Sequence, residues 1–295
     1  MNIVVVGAGV VGKATGLGLQ KLSHTVTFVD NSKNVVQKLS EENLDANTPE
    51  QMCLNDVDAV FVCVNIPTID DHTRSCVDPT NLTAATTNIG EKLAQTETGE
   101  FPLIVFRSTQ PPGTTRNTLI PILEKTSGLK VNENFGVAYW PEYLRAHKAE
   151  TDFLNPRIIT IATPQLGDPS HRAAARTAIG INTDIHWLTL EAAELQKYFS
   201  NASNAAKISV FNWFRALAQK LGLDNYQIQR IFEACAESSE SLWNPHYGLA
   251  DLGAYGGACL PKDVAALRIF AETVGINTDL LKAIEKVNKD TDDGH

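Results

Sequence analysis

Cys259 stands in the run Gly253-Ala254-Tyr255-Gly256-Gly257-Ala258-Cys259-Leu260-Pro261-Lys262-Asp263. Glycines there allow close backbone approach, and Pro261 opens a helix whose N-terminus favours a thiolate. A cysteine is most often a small inert core residue. Cys53, Cys63, Cys76 and Cys235 take that reading, whereas the loop setting makes Cys259 a candidate nucleophile. Lys197 and Asn201 lie four apart in a helical stretch, on a face away from its apolar stripe. Spacing alone favours a solvated pair. The functional alternative is a cation or general acid/base beside an amide donor, both directed at a nicotinamide cleft, which suits an oxygen whose charge changes during hydride transfer.

A second constellation could hold phosphates. Gly7-Ala8-Gly9-Val10-Val11-Gly12 follows the β-branched run Ile3–Val6 and opens a helix-like stretch. Gly7 permits a tight turn, Gly9 lets a pyrophosphate approach the helix N-terminus, and Gly12 lets helix and strand pack closely. Asp30 ends the next strand, where it can bond both ribose hydroxyls and repel a 2′-phosphate, so NAD is favoured over NADP.

The elements that position these groups fall into two halves. Continuous apolar runs at 3–6, 25–29, 59–64, 103–106 and 157–162, separated by helical lengths, predict a parallel sheet covered on both faces. That is an α/β, doubly wound Rossmann-type domain over 1–188. From Thr189 the period becomes helical: one long helix ends at Gly222, Asp224 caps a second, and an all-helical domain over 189–288 precedes a polar tail, 289–295. Leu195, Phe199, Ala202, Ala206 and Val210 form the long helix's apolar stripe. Phe211, Trp213, Phe214 and Leu217 surround more of that helix than one stripe needs, which predicts a homodimer.

Composition narrows the function. The 295 residues carry 34 acids against 25 bases, a net charge of −9, with no basic run to meet a nucleic acid. Five irregularly placed cysteines make no CxxC pair, so neither a zinc site nor a disulfide framework is expected, and no metal. The N-terminus lacks signal-peptide features and no apolar stretch is long enough for a bilayer. A cytoplasmic protein without membrane partners is expected.

Five segments in order resemble the UDP-glucose/GDP-mannose dehydrogenase family: the Gly7–Gly12 loop, 107–116 (RSTQPPGTTR), 141–144 (PEYL), 194–201 (ELQKYFSN) and 256–263 (GGACLPKD). The resemblance runs from residue 1 to about residue 288. It implies a four-electron oxidation of a nucleotide sugar's primary alcohol to a carboxylate, with two NAD used in succession and Cys259 forming a thiohemiacetal and then a thioester. Asp263 and Thr109 would position water or assist proton transfer, Lys197 and Asn201 would stabilise an oxyanion, and Glu142 would serve thioester formation or hydrolysis. The resemblance further implies Val10, Val11, Thr68 and Thr109 at the cofactor. It implies Glu142, Tyr143, Leu144, Tyr255, Gly256 and Gly257 at the substrate, and dimerisation through the helical domain.

Three departures stand out. The family's second glutamate is absent where the chain reads Arg145-Ala146-His147, and its arginine is absent from 241–247. Family members continue into another α/β domain that binds the nucleotide diphosphate, whereas this chain ends after the connecting helix. The expected consequences are a separate chain supplying that domain, a smaller substrate, or a fragment of a longer product. Two rival readings follow: a two-electron β-hydroxyacid dehydrogenase, which has no use for Cys259, and a non-catalytic NAD-binding scaffold.

Overall fold

Ile3 and Val5 pack on one face of a sheet and Val4 and Val6 on the other, and all four are buried. The alternation explains why the run Ile3–Val6 has no polar position: both faces are covered. The computed structural model describes residues 1–70, 75–96, 101–145, 148–178, 180–181, 183–249 and 253–292. Ala146 and His147 lie outside the described residues. Two units are resolved by contact, Met1–Ser200 and Asn201–His295.

The first unit contains strands β1 (Asn2–Val6), β2 (Thr25–Val29), β3 (Ala46–Asn47), β4 (Ala59–Val62), β7 (Leu103–Phe106), β8 (Gly136–Tyr139), β9 (Ile159–Thr163) and β10 (Ile185–Thr189) in the order β10-β9-β8-β7-β4-β1-β2-β3. A separate hairpin joins β5 (Thr68–Asp70) to β6 (Ser75–Val77). Helices α1 (Val10–Lys21), α2 (Lys33–Glu41), α3 (Thr80–Leu93), α4 (Ile120–Ser127), α5 (Ala149–Leu154) and α6 (Pro169–Thr177) complete the unit. One core layer holds Leu82, Ile89, Leu119 and Leu123 against the sheet; the other holds Leu19, Phe153 and Ala173.

The sheet departs from a wholly parallel one at one junction, because β9 runs antiparallel to β8. The connection after β8 carries Glu142 and Tyr143 just beyond that strand's carboxyl end and packs α5 against α1 before β9 begins. A parallel return would have needed a crossover to the far edge. The strand order also reverses direction at β1, which lies between β2 and β4. A crevice opens at such a switch point, outside the carboxyl ends of the strands.

The second unit contains most of α7 (Leu190–Lys220), with α8 (Asn225–Ser238), α9 (Glu240–Trp243), α10 (Leu260–Thr273) and α11 (Asp279–Asp292). Gly222, at φ +82°, ends α7 in the left-handed region. Asp224 caps α8 in a reciprocal box with Gln227. α11 continues through Asn288 to Asp292, where the sequence suggested a tail.

Burial corrects two expectations. Leu195 and Phe199 of the supposed inward stripe are 59% and 67% exposed, whereas Leu190, Ala193, Glu194 and Lys197 form the buried face. Polar groups can face inward there because their hydrogen bonds are satisfied. Cys53 and Cys235 are exposed, not core residues, while Cys63 is buried.

Gly12 is the tightest point of the turn after β1. A Cβ at Gly12 would fall 1.8 Å from the Gly7 carbonyl oxygen, and Gly7 itself stands at φ +87°. Gly12→Ala is therefore expected to cost about 1–3 kcal/mol or more, lowering the Tm by about 2–4 °C per kcal/mol. Thermal denaturation of the variant against wild type measures this.

Candidate active site

The glycine turn, the end of β2 and the loops after β4 and β7 enclose a cleft of about 860 Å³. That volume is within the usual range for cofactor sites. Gly7, Gly9, Val10, Val11, Asp30, Thr109 and Glu142 all line it. A Cβ on Gly9 would meet nothing within 4 Å, so the backbone at the start of α1 is open to a ligand. Gly12 does not line the cleft; it lets α1 approach the strand end. Thr68 is exposed on β5 and is not among the lining residues.

Asp30 is oriented by backbone. One carboxylate oxygen accepts from Ala8 N–H at 2.8 Å and the other from Ser32 N–H at 2.9 Å. An anionic carboxylate fixed at the end of β2 fits ribose hydroxyls and opposes a phosphate there. The open helix start, the fixed acid and the cleft's size together fit a dinucleotide.

Sequence reasoning missed several cleft residues. Asn31, Asn65, Asn81 and Asn88 supply amides, and Ser108 donates to the Val64 carbonyl at 2.6 Å. None has a signal stronger than its place after a strand or on α3. Arg107 lines the cleft while only 2% exposed. Its guanidinium carbon lies 5.5 Å from the Trp140 ring centroid and 5.6 Å from that of Phe153. Neither Nε nor Nη1 has a hydrogen-bond partner among the described residues. Burial lowers the Arg107 pKa, and the Cys63, Glu142 and Tyr139 side chains oppose that shift. Cys63 also lines the cleft, and burial pushes its thiol up to about 11, so it stays protonated at neutral pH.

Glu142 and Lys197 are brought together at the cleft. Lys197, 4% exposed, donates to the Glu142 carbonyl at 2.5 Å and lies 3.4 Å from its carboxylate. The other carboxylate oxygen of Glu142 accepts from Leu144 N–H at 2.7 Å. Tyr143 places its ring centroid 5.1 Å from the Lys197 ammonium and donates its hydroxyl proton to Gln196 Oε1. Burial raises the Tyr143 pKa, and the carboxylate of Glu142 adds to the rise, against its hydrogen bonds to Thr160 and Gln196.

The remaining candidates belong to the second unit. Asn201 is exposed on α7. Cys259 is exposed at the N-cap of α10, and its carbonyl accepts from Asp263 N–H at 2.8 Å. Asp263 pairs with Lys262 at 2.7 Å, both well exposed. Gly257 stands at φ +80° and a Cβ on Gly256 would meet nothing within 4 Å. Tyr255 exchanges two hydrogen bonds between its backbone and the Asn288 side chain, which ties the loop to α11. The described residues contain no cluster of His, Cys, Asp and Glu able to hold a metal.

Comparison with known proteins identifies the family of the two segments. Residues 35–172 fit the NAD binding domain of the UDP-glucose/GDP-mannose dehydrogenase family, and 191–290 its central domain. The chain is 29% identical to UDP-glucose 6-dehydrogenase AglM of Haloferax volcanii, over 98% of this chain and 69% of the relative. A ternary complex of GDP-mannose dehydrogenase from Pseudomonas aeruginosa superposes with a TM-score of 0.87 at 27% identity, covering 99% of this chain and 69% of that one. A UDP-glucose dehydrogenase from Pyrobaculum islandicum gives 0.70 at 30% identity, covering 98% and 68%. The matched N-terminal domain is an NAD binding domain, and NAD is the cofactor.

Asp30→Ala removes a charged acceptor from two backbone N–H groups and from the ribose. It is expected to weaken NAD binding by about 10- to 100-fold, the value of a charge-assisted bond. Titration calorimetry with NAD on the folded variant checks this.

Proposed function

Given that the chain belongs to the UDP-glucose/GDP-mannose dehydrogenase family and is an NAD-dependent dehydrogenase, we propose that it oxidises the primary alcohol of a nucleotide sugar to a carboxylate through a covalent Cys259 adduct. The observation that carries this reading is the Lys197–Glu142 pair at the edge of the Gly7–Asp30 cleft. A buried ammonium there would stabilise an alkoxide or a tetrahedral oxyanion, and Asn201 is assigned as a second donor. NAD, which the Gly7–Gly12 turn and Asp30 would hold, would supply the hydride acceptor, one NAD for each of the two oxidations with NADH leaving in between.

In the first oxidation the alcohol gives up a proton and a hydride to become an aldehyde. Cys259 then adds through sulfur to the aldehyde carbon, and the carbonyl oxygen takes a proton to give a thiohemiacetal. Loss of that proton and a second hydride leaves a thioester. Water attacks its carbonyl carbon and releases the acid and the free thiol. Thr109 and Asp263 are assigned to hold water or carry its proton, and Glu142 to assist formation or hydrolysis of the thioester. Lys262 pairs with Asp263 and has no catalytic assignment. Tyr143, Leu144, Tyr255, Gly256 and Gly257 are assigned to the substrate's sugar.

Two features support the setting. Leu195 and Phe199, four apart on α7, are 59% and 67% exposed, an apolar patch suited to a homodimer. Exposed free thiols at Cys53, Cys235 and Cys259 suit the reducing cytoplasm. No helix among the described residues is long and apolar enough to cross a membrane.

Cys259→Ser tests the covalent step. Acid release from UDP-glucose or GDP-mannose, whichever the wild type accepts, should fall by more than about 1,000-fold, with NAD affinity unchanged. Acid production at the wild-type rate would exclude the adduct.

A further inference from the structure

A fully buried carboxylate lies three residues before Lys197. Glu194 is 0% exposed. One of its oxygens accepts from Gly113 N–H at 2.5 Å; the other accepts from Thr115 N–H at 2.9 Å, Thr115 Oγ1 at 2.6 Å and Gln110 Nε2 at 2.9 Å. All these donors are neutral, and among the described residues no cation pairs with it. A buried charge of this kind is costly unless every lone pair is used. Here the donors Gln110 and Gly113 come from the segment that follows Thr109, and Thr115 opens the π-helical turn Thr115–Leu119.

We infer that Glu194 is a positioning residue that makes Thr109 and Lys197 parts of one rigid frame, an inference that rests on the function proposed above. Glu194 and Lys197 are one turn apart on the buried face of α7. Glu194 fixes that turn to residues 110–115, directly after Thr109. Lys197, one turn further on, reaches Glu142 in the loop after β8. Gln196, between them, accepts from the Tyr143 hydroxyl, so a second bond holds the same turn to the Glu142 segment. The loop after β7 and the loop after β8 are thereby locked to each other through α7. A displacement of about 1 Å at reacting groups can cost about 100-fold in rate, which gives this frame a catalytic consequence beyond its stability.

Glu194→Gln in the full chain is the test. The amide offers one acceptor in place of two and turns an N–H₂ group toward a backbone N–H or the Thr115 hydroxyl. Two readouts are taken on the folded variant: the ¹⁵N signal of the Lys197 ammonium, and kcat with KM for NAD on the nucleotide sugar that wild type oxidises. The expected result is a shifted Lys197 signal and a kcat lower by about 10- to 100-fold, with the larger change in kcat. Thr115→Val, which deletes one donor and keeps the carboxylate, should give a smaller change of the same kind if Glu194→Gln does not fold. A lower Tm with the Lys197 signal and kcat both at wild-type values would overturn the inference. Should wild type oxidise no nucleotide sugar, the proposed function fails by itself, and the Lys197 signal still decides whether Glu194 positions it.

Discussion

The first unit depends on how closely α1 can approach the end of β1. With any side chain at Gly12, the helix would have to retreat from the Gly7 carbonyl. The N-terminal N–H groups of α1 would then leave the carboxyl edge of the sheet, where the cleft opens. The same closeness recurs further along the helix. A Cβ at Gly16 would fall 2.3 Å from the Phe28 ring, and one at Gly18 would fall 2.1 Å from that of Phe153. Gly16 and Gly18 thus let α1 pack against large aromatic groups while Gly12 lets it meet backbone, and the helix start is aimed as a consequence of that packing.

A second constraint comes from polar groups placed inside. The first turns of α7 are held by hydrogen bonds to Glu194 and from Lys197, with only Leu190 and Ala193 contributing buried apolar surface. Hydrogen bonds of this kind have direction as well as strength, so they fix the rotation of the helix more closely than an apolar stripe would. The antiparallel entry of β9 serves the same end. In that junction, Glu142 and Tyr143 follow the end of β8 and meet α7, with Glu142 lining the cleft.

Much of the fold was legible because its signals are local. The apolar runs gave the strands, Gly222 and Asp224 marked the end of one helix and the start of the next, and the Gly7–Gly12 loop with Asp30 marked the cleft. What escaped depends on contacts distant in sequence. Periodicity assigns Leu195 and Phe199 inward because they are apolar, yet the helix turns Glu194 and Lys197 inward, where residues 113, 115 and 142 satisfy them. No pattern within α7 announces those partners. Arg107 is the same case: a charge following an apolar strand reads as a strand end, although the chain buries it against Trp140 and Phe153. The asparagines of the cleft, at 31, 65, 81 and 88, lie in loops and on α3 with no shared motif, so only the fold collects them.

The chemical account divides two tasks. As proposed, the cleft on the sheet would hold the dinucleotide, with Glu142 at its lining paired to Lys197, and the exposed Cys259 thiol at the start of α10 would provide the covalent step. A thiol is needed only if an aldehyde must be held and oxidised again, so the number of hydrides removed from each substrate molecule is the decisive quantity. NADH formed from a limiting, known amount of UDP-glucose or GDP-mannose, with excess NAD, measures that number directly. The account predicts two NADH per sugar consumed, with a uronic acid as product. One NADH per sugar and an aldehyde product would contradict it.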